Sequence, residues 1–122
     1  MKPDKKVSRL RIYASTTDRI DNRPVYETII FAAKKMGLAG ATAYRGVMGF
    51  GASSVIHSSK LWELTEKLPV VVEIIDEKSK ISSFFESIKP GLDKMSKGCL
   101  VTIEKVGVLL YKAGDKKIEI TD

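Results

Sequence analysis

A nearly unbroken apolar run, KLPVVVEIID at residues 67–76, constrains the fold of this chain more than any other feature. A run of this length that is rich in Val and Ile predicts a strand in the middle of a sheet, covered by its neighbours. The segment VSRLRIYAS, from Val7, has a different pattern, because Leu10 and Ile12 alternate with charged or polar residues. Alternation of this kind predicts a first strand with one buried face and one face in water.

Two segments have helical spacing instead. In the first, apolar residues recur at helical intervals from Val25 to Met36, and Gly37 follows where a left-handed C-terminal cap is expected. Turn residues precede this segment, and Pro24 lies near the predicted start of the helix. The second helix is predicted from about Lys78, with apolar residues at helical offsets: Ile81, Phe84, Phe85, Ile88, Leu92 and Met95. Pro90 lies inside it and predicts a kink or a local break.

Two further strands complete the pattern. ATAYRGVMGF at residues 41–50 predicts a second strand, and GCLVTIEKVGVLLY at residues 98–111 predicts a fourth, with Gly107 as a bend or bulge. The order strand–helix–strand therefore occurs twice, which predicts an α+β, ferredoxin-like βαββαβ fold. Right-handed crossovers place both helices on one face of an antiparallel sheet. Because the third strand is too apolar for full exposure to water, we expect another subunit to cover the opposite face.

Length and composition indicate a single folded domain. The chain has 122 residues, of which 43% are hydrophobic and 30% charged, so we expect one domain over residues 1–122 with fraying at 1–6 and 113–122. No apolar run approaches the ~20 residues of a membrane span, and the N-terminal segment lacks the apolar region of a signal peptide. The single Cys99 excludes an internal disulfide. Together these features predict a cytoplasmic protein.

The charge distribution makes anionic partners worth considering. The formal net charge is +6, and all five arginines lie within the first 45 residues. Because arginine suits fixed contacts with phosphate or carboxylate, an anion site is expected to draw on this half of the chain. A basic RNA-binding or nucleic-acid-binding module is therefore an alternative. RGVMGF is similar to the start of an RNA-binding RNP1 strand, but Val47 and Gly49 stand where stacking aromatic residues are required.

The glycine-rich run RGVMGFGASSVIHSS, at residues 45–59, invites several catalytic interpretations. A dinucleotide fingerprint needs a helix directly after its glycines, and none is predicted here. One His and one Cys do not form a metal-ligand cluster. A nucleophilic pair of Cys99 and His57 is conceivable, but Cys99 opens an apolar strand, where inert thiols are common. The sequence predicts a protein that is not an enzyme and has no metal and no cofactor.

A ligand-binding or partner-binding loop is the remaining interpretation of this run. Glycines let backbone N–H groups approach an anion closely and form a concave nest. Serine hydroxyls supply further donors, at Ser53, Ser54, Ser58 and Ser59. The alternative is a connection that binds no small ligand and leaves the protein as a partner-binding scaffold.

The segment GLAGATAYRGVMGFGASSVIH, together with the later LPVVVEIID, resembles the PII signalling proteins. It is most similar to their uncharacterised PII-like (UPF) branch, and the resemblance extends from Leu10 to Leu110. It implies a homotrimer with clefts between subunits that bind a small anionic effector, with an adenine nucleotide favoured. It also implies that a loop at residues 49–60 signals to a partner enzyme or membrane transporter.

The resemblance also implies which residues act. Gly49, Phe50 and Gly51 match the G-F-G at the base of the PII loop, and Gly98 matches a cleft glycine before the fourth strand. Cys99 stands where PII proteins have a phosphate-binding lysine, so Arg45, Lys97 or an arginine of the first strand becomes the candidate cation. The expected ligand-binding residues are Arg45, Gly46, Gly49, Phe50, Gly51, Ala52, Ser53, Gly98 and Cys99. The expected partner-contacting residues of the loop are Ser54, His57 and Ser58.

Overall fold

The computed structural model describes residues 1–2, 5–51, 57–58 and 67–115, and for residues 57–58 it describes the backbone alone. The elements are, in chain order, β1 (Val7–Ser15), β2 (Arg19–Ile20), β3 (Arg23–Pro24), α1 (Val25–Lys35), β4 (Ala41–Arg45), β5 (Met48–Gly49), β6 (His57–Ser58), β7 (Pro69–Glu77), α2 (Lys78–Lys94) and β8 (Leu100–Lys105). The four longest strands form one sheet in the order β4-β7-β1-β8, with antiparallel neighbours throughout. This order confirms the predicted ferredoxin-like arrangement.

The core lies on one face of this sheet. In the pairing of β1 with β7, Leu10 lies opposite Ile74 and Ile12 opposite Val72, and all four side chains are buried. Both helices pack on these residues and contribute the buried Ile29, Ile81 and Phe84, among others, to the same cluster. Burying a side chain of this size stabilises the fold by about 1.5–3 kcal/mol. The alternation read from the first strand therefore predicts the buried face correctly.

The ends of α1 follow from the residues at its boundaries. Pro24 directly precedes the helix, where a fixed φ and a missing N–H cost no helical hydrogen bond. At the other end Gly37 has a φ of +76°, the left-handed conformation that glycine adopts without strain. Beyond it, the N–H of Leu38 donates to the carbonyl of Ala33 at 3.0 Å, as in a Schellman cap. The predicted helix and its glycine cap are both confirmed.

The second and fourth predicted strands are β4 and β8 in the structure. Both are shorter than predicted, because the strands that they pair with end. β4 stops at Arg45, opposite Val70, because β7 begins at Pro69. The predicted strand over residues 41–50 is therefore two strands, and β5 leaves the main sheet to pair with β6. β8 stops at Lys105, opposite Ser8 near the start of β1, so residues 106–111 are not strand. Of the predicted frayed end, residues 116–122 lie outside the described residues.

Helix α2 does not break at Pro90. The helix is continuous from Lys78 to Lys94 with the proline inside it. A proline in a helix removes one backbone hydrogen bond and crowds the preceding turn. Here Phe84 before the proline and Leu92 after it are both buried in the core, so packing holds the two sides together. The predicted break is therefore wrong, because tertiary contacts outweigh the local preference.

The sheet face opposite the helices combines ion pairs with apolar side chains. The Nε of Arg9 donates to Glu104 at 2.8 Å, and the Nε of Arg11 donates to Glu73 at 2.9 Å. The hydrogen bond from Arg9, together with the charges of both arginines, lowers the pKa of Glu104. Tyr13 is 38% exposed on this face. We call this side of the sheet, opposite the helices, the open face.

Asp76 ties the segment after α1 to the end of β7. Its carboxylate is 1% exposed and accepts hydrogen bonds from the N–H groups of Ala39 and Glu77, at 2.8 and 2.7 Å. Removing the carboxylate leaves two partly buried N–H donors without their acceptor. A buried polar group that loses its partner costs about 1–3 kcal/mol.

We therefore expect Asp76→Ala to lower the free energy of unfolding by about 1–3 kcal/mol, measured by urea denaturation. Asp76→Asn retains one acceptor oxygen, so its loss should be smaller. The control is Asp93→Ala, because Asp93 forms an exposed ion pair with Lys89 on one helix face, and we expect a change within about 0.5 kcal/mol. Equal effects of the Asp76→Ala and Asp93→Ala variants would contradict this role of Asp76.

Candidate functional site

A cleft of about 470 Å³ opens at one end of the two central strands, where β1 ends and β7 begins. Four separate segments line it, at residues 13–15, 49–51, 69–70 and 97–100. Asp18 and Lys67 complete the lining. Segments far apart in the sequence therefore meet in one concave site, which we call the loop-base cleft.

The base of the glycine-rich loop, at residues 46–49, lies close to Pro69. The N–H of Gly46 donates to the carbonyl of Pro69 at 2.8 Å. A Cβ atom on Gly49 would lie only 3.0 Å from the Cγ of Pro69, and one on Gly46 would lie 3.4 Å away. A Cβ at Gly49 would therefore require Pro69 to shift by a few tenths of an ångström, whereas a Cβ at Gly46 would make ordinary van der Waals contact. Gly49 is the point of closest approach between the loop base and the proline that begins the central strand.

The next two residues face open space. A Cβ atom on Gly51 would meet no atom of residues 5–51 or 67–115 within 4 Å, and the φ of Gly51 is not in the left-handed region. Phe50 is 69% exposed and lines the same cleft. Gly51 can therefore accept a side chain without a change in the fold, which makes it suitable for testing the cleft.

The opposite wall comes from the connection between α2 and β8. The cap residue Met95 is in extended conformation and is partly buried against the core. The chain then runs through Lys97, Gly98 and Cys99 into β8, which pairs with β1. Because β1 also ends at the cleft, this pairing brings the two walls together.

Cys99 has the properties of a protonated thiol. Although the residue is exposed, partial desolvation of its thiol raises its pKa, and the nearby carboxylates of Asp18 and Asp93 act in the same direction. The thiolate is the nucleophilic form of cysteine. A raised pKa therefore makes Cys99 a weaker nucleophile than an ordinary cysteine at neutral pH.

The charges in the cleft come from Lys67, Lys97 and Asp18. The carboxylate of Asp18 is 4% exposed, and its Oδ2 accepts the N–H of Ser15 at 2.8 Å. This bond fixes the turn after β1, while the hydroxyl of Thr16 accepts the N–H of Leu68 at 3.0 Å. Asp18 therefore has a structural partner. Neither lysine forms an ion pair with another of the described residues, which leaves both to an anion.

The structure brings together five of the nine expected ligand-binding residues. Gly49, Phe50, Gly51, Gly98 and Cys99 all line the loop-base cleft, and the candidate cation Lys97 lines it as well.

The remaining candidates lie elsewhere. Arg45 does not line this cleft but a second cavity, and Gly46 supports the loop through Pro69 without lining the cleft. Ala52, Ser53 and Ser54 lie outside the described residues. His57 and Ser58 form β6, which pairs with β5 through Ser58 opposite Met48 and His57 opposite Gly49.

Sequence reasoning missed Asp18 and Lys67 as cleft residues. Both lie outside the glycine-rich run, in turns that resemble ordinary connections. The Thr-Thr-Asp sequence before the first helix is a turn signal, and such turns are commonly closed by an Asp side chain. That signal predicts the local bond to Ser15, but proximity to the loop base requires the pairing of β1 with β7.

Two properties of the described residues bear on function. Within the described parts of the chain, no group of three or more His, Cys, Asp or Glu side chains is placed to hold a metal ion. In the same residues, neither helix has the length and apolar character needed to cross a membrane.

Comparison with known proteins identifies relatives in sequence and in fold. Residues 7–108 match the model of the DUF190 family, described as "Uncharacterized ACR, COG1993". A UPF0166 protein of Aquifex aeolicus is 41% identical over 100 residues, which cover 82% of this chain and 90% of that protein.

Solved structures with the same fold are PII-like. One is a putative PII-like signalling protein from Thermus thermophilus, with a TM-score of 0.61 and 13% identity, covering 85% of this chain and 90% of that one. Another is CPII, a nitrogen regulatory PII-like protein from Thiomonas intermedia bound to ADP, AMP and bicarbonate. It has a TM-score of 0.59 and 15% identity, covering 84% of this chain and 90% of that one. Identities this low show the fold alone, whereas the sequence matches show the family. This chain therefore belongs to the DUF190 (UPF0166) family and has a PII-like fold.

Proposed function

We propose that this protein is a non-enzymatic PII-like regulatory protein that binds a small anionic effector, preferably an adenine nucleotide, in the loop-base cleft. One observation carries the proposal: residues 49–51 and 97–100, which include Lys97, line a single cleft together with Lys67. This convergence joins a glycine-rich loop base to two cations. The PII-like neighbour from Thiomonas intermedia was solved with ADP and AMP, which supports adenine nucleotides as the first probes.

The composition of the cleft suits a ligand with an apolar and an anionic part. Tyr13, Phe50 and Leu100 are exposed and offer apolar surface for a planar ring. Lys67 and Lys97 supply positive charge for phosphate. The open glycine backbone at residue 51 allows a close approach of the ligand.

The loop at residues 49–60 is the proposed signalling element. Gly49 belongs both to the wall of the cleft and to β5, which pairs with β6. A ligand that contacts Gly49 therefore acts at the base of a paired stem. Such a ligand changes the loop only through different affinities for the two loop states. The proposed partner is an enzyme or membrane transporter that recognises one of these states.

We further propose a homotrimer in which another subunit covers the open face. Val71 and Ile75 of β7 are half-buried on this face. Val71 lies opposite Tyr13 on one side and Tyr44 on the other. Apolar and aromatic side chains in a continuous row are typical of the buried centre of an interface.

The first test measures thermal unfolding with ADP, AMP, ATP and bicarbonate. A ligand at 100 times its dissociation constant stabilises the protein by about 2.7 kcal/mol, which raises the melting temperature by several degrees. We expect at least one adenine nucleotide to produce this shift. In Gly51→Leu the new side chain fills the cleft, so affinity should fall by about tenfold or more, equivalent to about 1.4 kcal/mol.

The matched control for this test is Gly114→Leu, because a Cβ on Gly114 also meets nothing within 4 Å and Gly114 does not line the cleft. It should retain the full nucleotide shift. If no nucleotide shifts the melting temperature, the proposed effector class is wrong and a partner-binding scaffold becomes the better explanation. If Gly51→Leu binds as tightly as the native protein, the ligand lies elsewhere.

The single cysteine offers a second and independent measurement. Cys99 lines the cleft, so a bound nucleotide should shield its thiol from iodoacetamide. Because the pKa of Cys99 is raised, its thiolate forms at higher pH than usual, and the reaction is best followed under alkaline conditions. We expect saturating ADP to slow alkylation several-fold, as measured by mass spectrometry. An unchanged rate in the presence of bound ADP would place the nucleotide away from Cys99.

The trimer has its own test in light scattering. Val71→Glu places a carboxylate in the middle of the proposed interface, and burying an unpaired charge costs several kcal/mol. We expect this variant to change the measured mass from trimer to monomer. The control is Phe31→Glu, since Phe31 is an exposed apolar residue on α1, away from the open face. A native protein that is monomeric, or a Val71→Glu variant that stays trimeric, contradicts the proposal.

The nucleic-acid alternative receives less support from the geometry. RNA-binding sheets combine exposed aromatic residues with available cations. On the open face, Arg9 and Arg11 are paired with the carboxylates of Glu104 and Glu73. RNA affinity that falls steeply with salt would nevertheless favour this alternative.

A further inference from the structure

A second cavity lies beside the edge strand β4 and has no part in the function proposed above. Its volume is about 730 Å³, and it is bounded by the connection between β1 and α1 on one side and by β4 on the other. Arg19 and Arg45 both line it. We call it the Arg19–Arg45 cavity.

Local structure explains why both arginines line the same cavity. Arg19 belongs to the hairpin formed by β2 and β3. The two turn residues of this hairpin, Asp21 and Asn22, have φ values of +50° and +65°. Positive φ at both positions is typical of the type I′ turn, and Asp and Asn tolerate it well. Arg45 is the last residue of β4, opposite Val70, on the face of the sheet that carries the helices. The hairpin and the strand end therefore contribute one cation each to the same space.

The five arginines of the chain have different surroundings. Arg9 and Arg11 are paired with carboxylates of neighbouring strands. Arg23 lies over an aromatic ring, with its guanidinium carbon 5.5 Å from the ring centroid. Among the described residues, neither Arg19 nor Arg45 forms an ion pair, and no carboxylate lines their cavity. Two cations thus share one cavity without a counter-charge from the described part of the chain.

The other polar groups of the cavity are hydroxyls. Thr17 and Tyr26 line it, and each carries a hydroxyl group that can donate a hydrogen bond. Tyr44 also lines it, but its hydroxyl donates to Glu73 at 3.4 Å. Guanidinium groups bind phosphate and carboxylate through two parallel N–H donors, which ammonium groups do not provide. We propose that the Arg19–Arg45 cavity is a binding site for a small oxyanion, either a phosphorylated or a polycarboxylate molecule.

This site is separate from the loop-base cleft. The two spaces adjoin at Val70, which lines both, but their other lining residues differ: Ser15 and Asp18 line the cleft, whereas Thr17 and Arg19 line the second cavity. The cations also differ, since lysines line the cleft and arginines line the cavity. Binding at one site can therefore be removed by substitution without touching the lining cations of the other.

The experiment is isothermal titration of the full chain with inorganic pyrophosphate and, separately, with citrate. These probes distinguish a phosphoryl ligand from a carboxylate ligand. We expect one of them to bind, and we expect Arg19→Gln and Arg45→Gln each to weaken its binding by about tenfold or more, because each removes a charge-assisted hydrogen-bond donor. Both arginines are exposed, so melting temperatures should stay close to that of the native protein.

Two control variants locate the bound anion. Arg23→Gln removes the same charge from the same region but outside the cavity, and Gly51→Leu fills the loop-base cleft. Both should bind the probe as the native protein does. Loss of binding in Gly51→Leu, with binding retained in the Arg19 and Arg45 variants, would place the anion in the cleft and overturn the proposal. Absence of binding for both probes, or an unchanged affinity in either the Arg19 or the Arg45 variant, would also overturn it.

Discussion

The antiparallel pairing of β1 with β7 is the interaction on which the rest of this structure depends. It runs without interruption from Val7 opposite Glu77 to Ser15 opposite Pro69. A shift of one residue would turn every buried side chain of a strand to the other face, so burial of one face fixes this register. The same register decides which residues meet at the end of the pair. The loop-base cleft is located there because Ser15 and Pro69 end the pairing together.

Pro69 connects this register to the candidate site. It begins the central strand, accepts the N–H of Gly46 and closely approaches Gly49. The glycine-rich loop is thereby held against the sheet at its base, while β5 leaves the sheet and pairs with β6. The functional proposal depends on this arrangement, since a loop anchored beside a cleft can respond to what the cleft contains.

Charge is distributed unevenly over the two layers of the fold. On the open face, arginines and carboxylates compensate each other, as the proposed subunit interface requires. On the side of the helices, Arg19 and Arg45 share a cavity that no described carboxylate lines. The sequence already placed every arginine in the first 45 residues, and it predicted an anion site in that half. It assigned Arg45 to the glycine-rich loop, whereas strand pairing places Arg45 at the end of β4, where it lines the same cavity as Arg19.

Periodicity and local chemistry in the sequence determined the first strand, the first helix with its Gly37 cap, the alternating core positions and the order of the elements. These features depend on neighbours a few residues away, so a sequence pattern is enough to predict them. The family resemblance added five residues that line one cleft. Only the tertiary structure determined where β4 and β8 end and that α2 continues through Pro90. It also determined that lysines line the cleft and arginines line the second cavity. Each of these depends on contacts between segments distant in the chain, for which local patterns contain no signal.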